Sequence, residues 1–470
     1  MTSYYKTLGI TVAAVALVSA PVLAADNVYG TFPVTEKSYK GSKKNSVAYT
    51  GQIARQVLHD SLKKLAGKGN GKPNAKLKAE MMSYYAGKGK GRSIVAPKSK
   101  GTFTIKQTAV DQISKKKNLS GKTYKGAISG MPNNMTGPEL VKFWIDKASS
   151  AKKGVDAANG YNYPQLISKF IMGAVFYNQA VDNYLDEKLG AKNKPNNKPY
   201  KKGAAYTGKE HSWDEAFGYF GTPAHALTLS PDQLYGIAKR KAKAKSYADK
   251  NGDGKVDLYK EMVFGPAYYA AGYDRSGKTS YSKNIVTAFL DGRKLITSAN
   301  GAALTDGQRA KLRAYAKVIE KNWQQTLAES VFKYAGSVFK DLKKIRANHA
   351  AKKSNDKALK KYIKHWGELK GFSLALQTGK SNLGETAARL NRLIGYGPVM
   401  MNASQVTDID SKGNYVKGEA SGLGEYMAHM LKAQKLMVDK FGVKARNNDQ
   451  MANMSEMLKK LGSGSAAEND

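Results

Sequence analysis

The sequence predicts an all-α protein built as two helical bundles with long basic loops, and three observations carry that reading. Apolar residues recur at helical spacing over long stretches, as in Leu312, Tyr315, Val318, Ile319 and Trp323, or Leu359, Tyr362, Ile363 and Trp366. Capping boxes stand at the heads of helices, pairing Thr207 with Glu210 and Ser230 with Gln233. The chain of 470 residues, 41% of them hydrophobic, is longer than one core usually serves, so two subdomains are expected, 46–270 and 271–450.

Taken in order, residues 1–24 read as a secretory signal peptide. Lys6 precedes an apolar run from Leu8 to Ala20, and Val22-Leu-Ala24 offers a small-residue cleavage site. The run is shorter than the ~20 residues that span a bilayer, and no later stretch is longer, so an exported protein without a transmembrane segment is expected, periplasmic or extracellular. Residues 25–45 are rich in Gly, Lys and Tyr and read as an extended basic arm. Helical spacing returns from Gln52 to Leu65. Beyond it, the Gly-Lys loops at 67–73 and 87–92 flank a short helix holding Met81, Met82 and Tyr84. Helices are expected over 137–149 and 164–189, the second strongly apolar. A helix opening at Ser230 then runs into the basic series Lys239, Arg240, Lys241, Lys243 and Lys245.

The next stretch has the spacing of an EF-hand-like calcium loop. Asp249, Asn251, Asp253, Lys255 (through its carbonyl) and Asp257 occupy loop positions 1, 3, 5, 7 and 9, with Gly254 at the turn. The bidentate acid belongs at position 12, where Lys260 stands; Glu261 follows one place late. A structural Ca²⁺ is expected, with an Asx-rich turn that binds nothing as the alternative. From Asn284 onward helices are expected over 284–295, 306–345, 355–377, 385–394 and 424–441. Residues 451–470 form a methionine-striped helix edge and a loose tail.

Thr207 to Gly221 is the stretch with the most chemistry. At 100° per residue Trp213, Ala216, Phe217 and Phe220 share one face, and His211, Asp214, Glu215 and Gly218 share the other. An imidazole with acids three and four residues on is how bundle helices present metal ligands, and a solvated face has the same pattern. His365 and Glu368, again a turn apart, are the candidate second half of such a site.

Together with Ser46-Val-Ala-Tyr-Thr-Gly-Gln52, Met172-Gly-Ala-Val-Phe-Tyr-Asn-Gln179 and Asn284 to Arg293, these stretches resemble the bacterial domain of unknown function 4856. That family is similar to the imelysins, exported helical proteins linked to iron acquisition. The resemblance runs from about Ser46 to Gln377 and implies an imelysin-like helical fold with an iron-type or zinc-type ion. The Gly-x-His-x-x-Glu signature of imelysins is not kept intact: Gly208 is one place too far from His211, Asp214 stands where the Glu would, and Ile363 replaces the Gly ahead of His365.

Composition supplies the other functional clue. There are 77 Lys and Arg against 37 Asp and Glu, a net charge of +40 that attracts polyanions. The absence of cysteine excludes disulfides and thiol nucleophiles, and neither a His-Glu-x-x-His helix nor a nucleophile elbow is present, so no catalytic constellation stands out. Two functions remain in view. One is an exported, non-catalytic metal-binding protein, with His211, Asp214, Glu215, His365 and Glu368 around the ion. The other is a basic envelope or matrix protein that recognises acidic polysaccharide, lipopolysaccharide or extracellular nucleic acid.

Overall fold

Helical periodicity becomes helix wherever the sequence sustains it. The computed structural model describes residues 27–380, 383–420 and 422–461. The expected signal peptide and the tail beyond residue 461 lie outside them. In chain order the helices are α1 (Thr50–Ala66), α2 (Ala75–Tyr85), α3 (Gly137–Ser150), α4 (Tyr163–Ile171), α5 (Gly208–Phe220), α6 (Pro231–Ala238), α7 (Lys245–Ala248), α8 (Gly265–Asp274), α9 (Tyr281–Ser298), α10 (Asp306–Ala350), α11 (Asp356–Leu376), α12 (Gly384–Ile394), α13 (Leu423–Phe441) and α14 (Met454–Leu461). Two antiparallel hairpins complete the fold: β1 (Val155–Asp156) with β2 (Tyr161–Asn162), and β3 (Ser404–Ile409) with β4 (Tyr415–Glu419). The all-α class holds.

α10 is the axis, flanked by α9, α11 and α13. α11 also lies along α4, and α5 is wedged between α1 and α9. After Ile171 the expected long core helix keeps its course but changes its hydrogen bonding, running as π-helix over Met172–Tyr177 and Gln179–Tyr184. There Gly173 lets the chain touch α11, since a Cβ at this position would lie 2.3 Å from the Ala375 carbonyl oxygen. Close backbone approach, and not conformational freedom, fixes that glycine.

Two features of the structure bear on the expected organisation. The boundary between residues 270 and 271 falls inside α8, and the buried side chains form one continuous cluster from Tyr29 to Ala445. The segment read as an extended basic arm is tucked into that cluster: Tyr29, Phe32, Thr35 and Glu36 are all buried. Its aromatic residues outweigh its lysines, and Tyr29 stacks on Phe217 with ring centroids 3.8 Å apart.

Candidate functional site

α5 begins as the sequence dictates, with the Thr207 side chain accepting from the Glu210 amide and the Glu210 carboxylate accepting from the Thr207 amide. Its apolar face meets α9, where the Trp213 indole donates to the Phe289 carbonyl at 2.8 Å. The opposite face is not a solvated or open ligand face. Glu210 and Asp214 are fully buried around Arg293 of α9, which donates from Nη1 to Glu210 and from Nε to Asp214, each at 3.0 Å. Arg293 Nη2 also donates to Ser46 Oγ at 2.6 Å, and Tyr29 donates its hydroxyl proton to Asp214 at 2.7 Å. The Ala48 amide takes the second Asp214 oxygen at 3.1 Å. Burial works against the Arg293 charge, but Asp214 and Glu210 outweigh it and hold the guanidinium above its usual value. Asp214 is therefore committed to structure, with its oxygens taken up by Arg293, Tyr29 and Ala48.

His211 and Glu215 do lie together, with Nε2 3.7 Å from Oε1. The ring stacks on Tyr206 at 4.3 Å and meets the edge of Tyr200 at the same distance. Burial in this aromatic slot pushes the imidazole down to about 4, against the pull of Glu215, so it is neutral at pH 7. His365 has different surroundings. Its Nδ1 meets Asp341 of α10 at 2.6 Å, and its neighbour Glu368 accepts from the Tyr334 hydroxyl at 3.2 Å. The five-residue metal set is thus divided into three environments: Asp214 in the Arg293 cluster, His211 with Glu215, and His365 with Glu368. Among the described residues no group of three or more His, Asp or Glu side chains is gathered as metal ligands. The residues do not fit the ion that the resemblance implies.

The loop at 249–261 has the turn of a calcium site, with most of its oxygens engaged by amides and Asp249 Oδ1 buried without a hydrogen-bond partner. Asp249 accepts from Gly254 N at 2.8 Å, Asn251 from Asp253 N at 3.0 Å, and Asp253 from Lys255 N at 2.9 Å. Asp257 accepts from Tyr259 N at 2.8 Å and from Gln107 Nε2 at 2.7 Å. Glu261 takes the amides of Lys250, Asn251 and Asp257. The Lys106 ammonium lies 2.8 Å from Asp253 and holds that carboxyl below the usual carboxylate range. Val256, at the loop's eighth position, bridges in parallel to Ile105, so the loop is clipped to a preceding strand-like segment instead of a second loop of its kind.

A large concavity lies elsewhere, where α1, α4, α6, α8, α10 and α11 meet. It is a cavity of 780 Å³ with eight cationic residues on its walls, Lys63, Lys64, Lys68, Lys169, Lys239, Arg240, Lys333 and Lys364, against the two acids Asp60 and Glu368. Tyr268, Tyr269, Tyr334 and His365 add ring faces. The Lys239 ammonium sits over the Tyr268 ring at 4.7 Å. Of the basic series, Lys239 and Arg240 line the cavity; Lys241 and Lys243 are exposed outside it and Lys245 is half-buried. Lys169 is the residue that sequence reasoning passed over. Set on a largely apolar helix, it has a side chain only 3% exposed and an ammonium 4.0 Å from Glu368.

A family model described as Domain of unknown function (DUF4856) matches residues 39–319, more than half of the chain. The chain belongs to the DUF4856 family. No curated protein and no solved structure matches it. Three of the Arg293 cluster's charged residues, Glu210, Asp214 and Arg293, fall within the DUF4856 segment, as does its Ser46 partner, and Tyr29 joins from before it. The cavity has a different composition. The DUF4856 segment supplies Lys63, Lys64, Lys169, Lys239 and Arg240, and the helices beyond residue 319 supply Lys333, Tyr334, Lys364, His365 and Glu368.

Proposed function

We propose that this DUF4856 protein is an exported, non-catalytic binding protein that holds an acidic polysaccharide, by a chain end or short segment, in the basic cavity. The observation that carries the reading is the excess of cations over acids on the cavity wall together with its tyrosine faces. Ammonium groups partner sugar carboxylates, rings cover the apolar faces of pyranoses, and low-dielectric walls focus the field. A volume of 780 Å³ lies in the range of ligand pockets. The net charge of +40 then steers a polyanion toward the protein from a distance. The metal reading has weaker support, because its ligands are separated and Asp214 is committed to Arg293.

The test is calorimetric titration with oligogalacturonate, comparing the wild type with a triple variant of exposed cavity lysines, Lys64→Glu, Lys239→Glu and Lys364→Glu. A control with the same charge change, Lys88→Glu, Lys90→Glu and Lys100→Glu, alters exposed lysines away from the cavity. Binding is expected to weaken by roughly tenfold or more in the first and to change little in the second. Equal losses in both would reduce the interaction to general charge attraction and overturn the cavity as the site.

A further inference from the structure

Lys169 stands in the final turn of α4, three residues before the switch into π-helix at Met172, and π-turns inside helices occur frequently at functional sites. Its ammonium is 5.3 Å from the Tyr269 ring centre and 5.8 Å from that of Phe372. Lys63 lines the same cavity beside it. The carboxylate within reach is Glu368, 8% exposed, whose Oε1 accepts from Tyr334, and Tyr334 in turn meets the Tyr269 hydroxyl at 3.1 Å. Burial pushes the Lys169 ammonium well below the usual lysine range, the Lys63 ammonium adds to that push, and Glu368 pulls the other way. Desolvation and a neighbouring cation are the two devices that turn lysine into a nucleophilic amine.

The geometry points to Lys169 as a Schiff-base lysine that captures the aldehyde or ketone carbon of a carboxylate drawn into the cavity. The reducing end of a uronic acid in its open-chain form belongs to this class, so the inference rests on the acidic-saccharide reading and narrows it. The neutral Lys169 nitrogen adds to the carbonyl carbon as the C–O π bond breaks, and Glu368 relays one nitrogen proton to the oxygen, which becomes a hydroxyl. Glu368 then passes the second nitrogen proton to that hydroxyl as the nitrogen lone pair closes the C=N bond and the C–O bond breaks, releasing water. An imine forms, one water is released, no electrons are exchanged, and hydrolysis reverses the step. The surrounding cationic wall holds the ligand's carboxylate.

The test uses the full chain with glyoxylate as probe and cyanoborohydride to reduce any imine to N-carboxymethyl-lysine, located by peptide mass spectrometry. Lys169 is expected to label roughly tenfold faster than exposed Lys88 and Lys90, with saturation in glyoxylate and protection by oligogalacturonate. Lys370, buried and donating to the Gly395 carbonyl at 2.7 Å away from the cavity, is expected to stay unlabelled. Glu368→Gln is expected to slow labelling of Lys169 several-fold without changing that of exposed Lys88 and Lys90. Labelling of Lys169 no faster than that of the exposed lysines would overturn the inference. If oligogalacturonate still bound in the cavity, the saccharide reading would survive that result. Fast, saturable labelling of Lys169 without oligogalacturonate binding would instead support the reactive lysine and overturn the saccharide as its ligand.

Discussion

Arg293 and Asp214 face each other at 3.0 Å with neither side chain reaching water, and each is costly without the other. Arg293→Met strips the cation from two buried carboxylates, Asp214→Ala leaves the Arg293 Nε, Tyr29 and Ala48 donors without their acceptor, and each is expected to lower unfolding stability by about 3–5 kcal/mol in urea denaturation. Replacing both together, Asp214→Leu with Arg293→Met, is expected to cost less than the sum of the single changes. Strict additivity would show that the two side chains are not coupled.

His211 gives a pH signature. Its folded-state value of about 4 lies below the ordinary 6.5, so the unfolded chain takes up a proton that the folded one refuses. The neutral ring's full contribution is present above pH 6.5 and is lost as pH falls toward 4, by up to about 3 kcal/mol. Thermal unfolding from pH 7.5 down to 4 is expected to show that decline, and His211→Gln is expected to flatten it. An unchanged pH slope in the variant would place the titration on another group.

Calcium entering the 249–261 loop would compete with Lys106 for Asp253 and with three amides for Glu261. Lys106→Met is therefore expected to tighten Ca²⁺ or Tb³⁺ binding by roughly threefold to tenfold over the wild type, read by terbium luminescence. EDTA is expected to leave the wild-type melting temperature within about 1 °C, because the loop's hydrogen bonds are made without an ion. A larger fall, restored by calcium, would make the ion part of the fold.

Gly173→Ala tests the contact between the π-helical stretch and α11. The new methyl would meet the Ala375 oxygen at 2.3 Å, so backbone must move. A loss of about 1–3 kcal/mol in urea denaturation is expected, against a small effect for Gly89→Ala, where a Cβ meets nothing within 4 Å.

The helices were legible because their signals are local. Periodicity over α10, α11 and α13 and the boxes at Thr207 and Ser230 act within one or two turns, so one sequence suffices. The β3–β4 hairpin was missed although Asp410 to Asn414 is a turn sequence between extended residues; its strands are short and bury only Val406 and Ile409. The polar face of α5 was misread for a different reason. A buried acid and a solvated acid look alike until the partner is known, and Arg293 lies 79 residues from Asp214. The cavity was invisible for the same reason: its lining residues come from six helices and several loops, and nothing in the sequence near Lys169 announces that Lys63 and Glu368 will stand beside it.

The tucked N-terminal segment also sets the order in which the chain can close. Tyr29 meets its acceptor 185 residues downstream, and Ser46 meets Arg293 across 247. A ribosome that has released α1 to α4 has not yet made the arginine that neutralises Glu210 and Asp214. The first half therefore emerges without the means to seal its own interior, and native closure must wait for α9. Such long-range closure belongs to slow, all-at-once folding, and it keeps the nascent chain pliable until most of it has been synthesised.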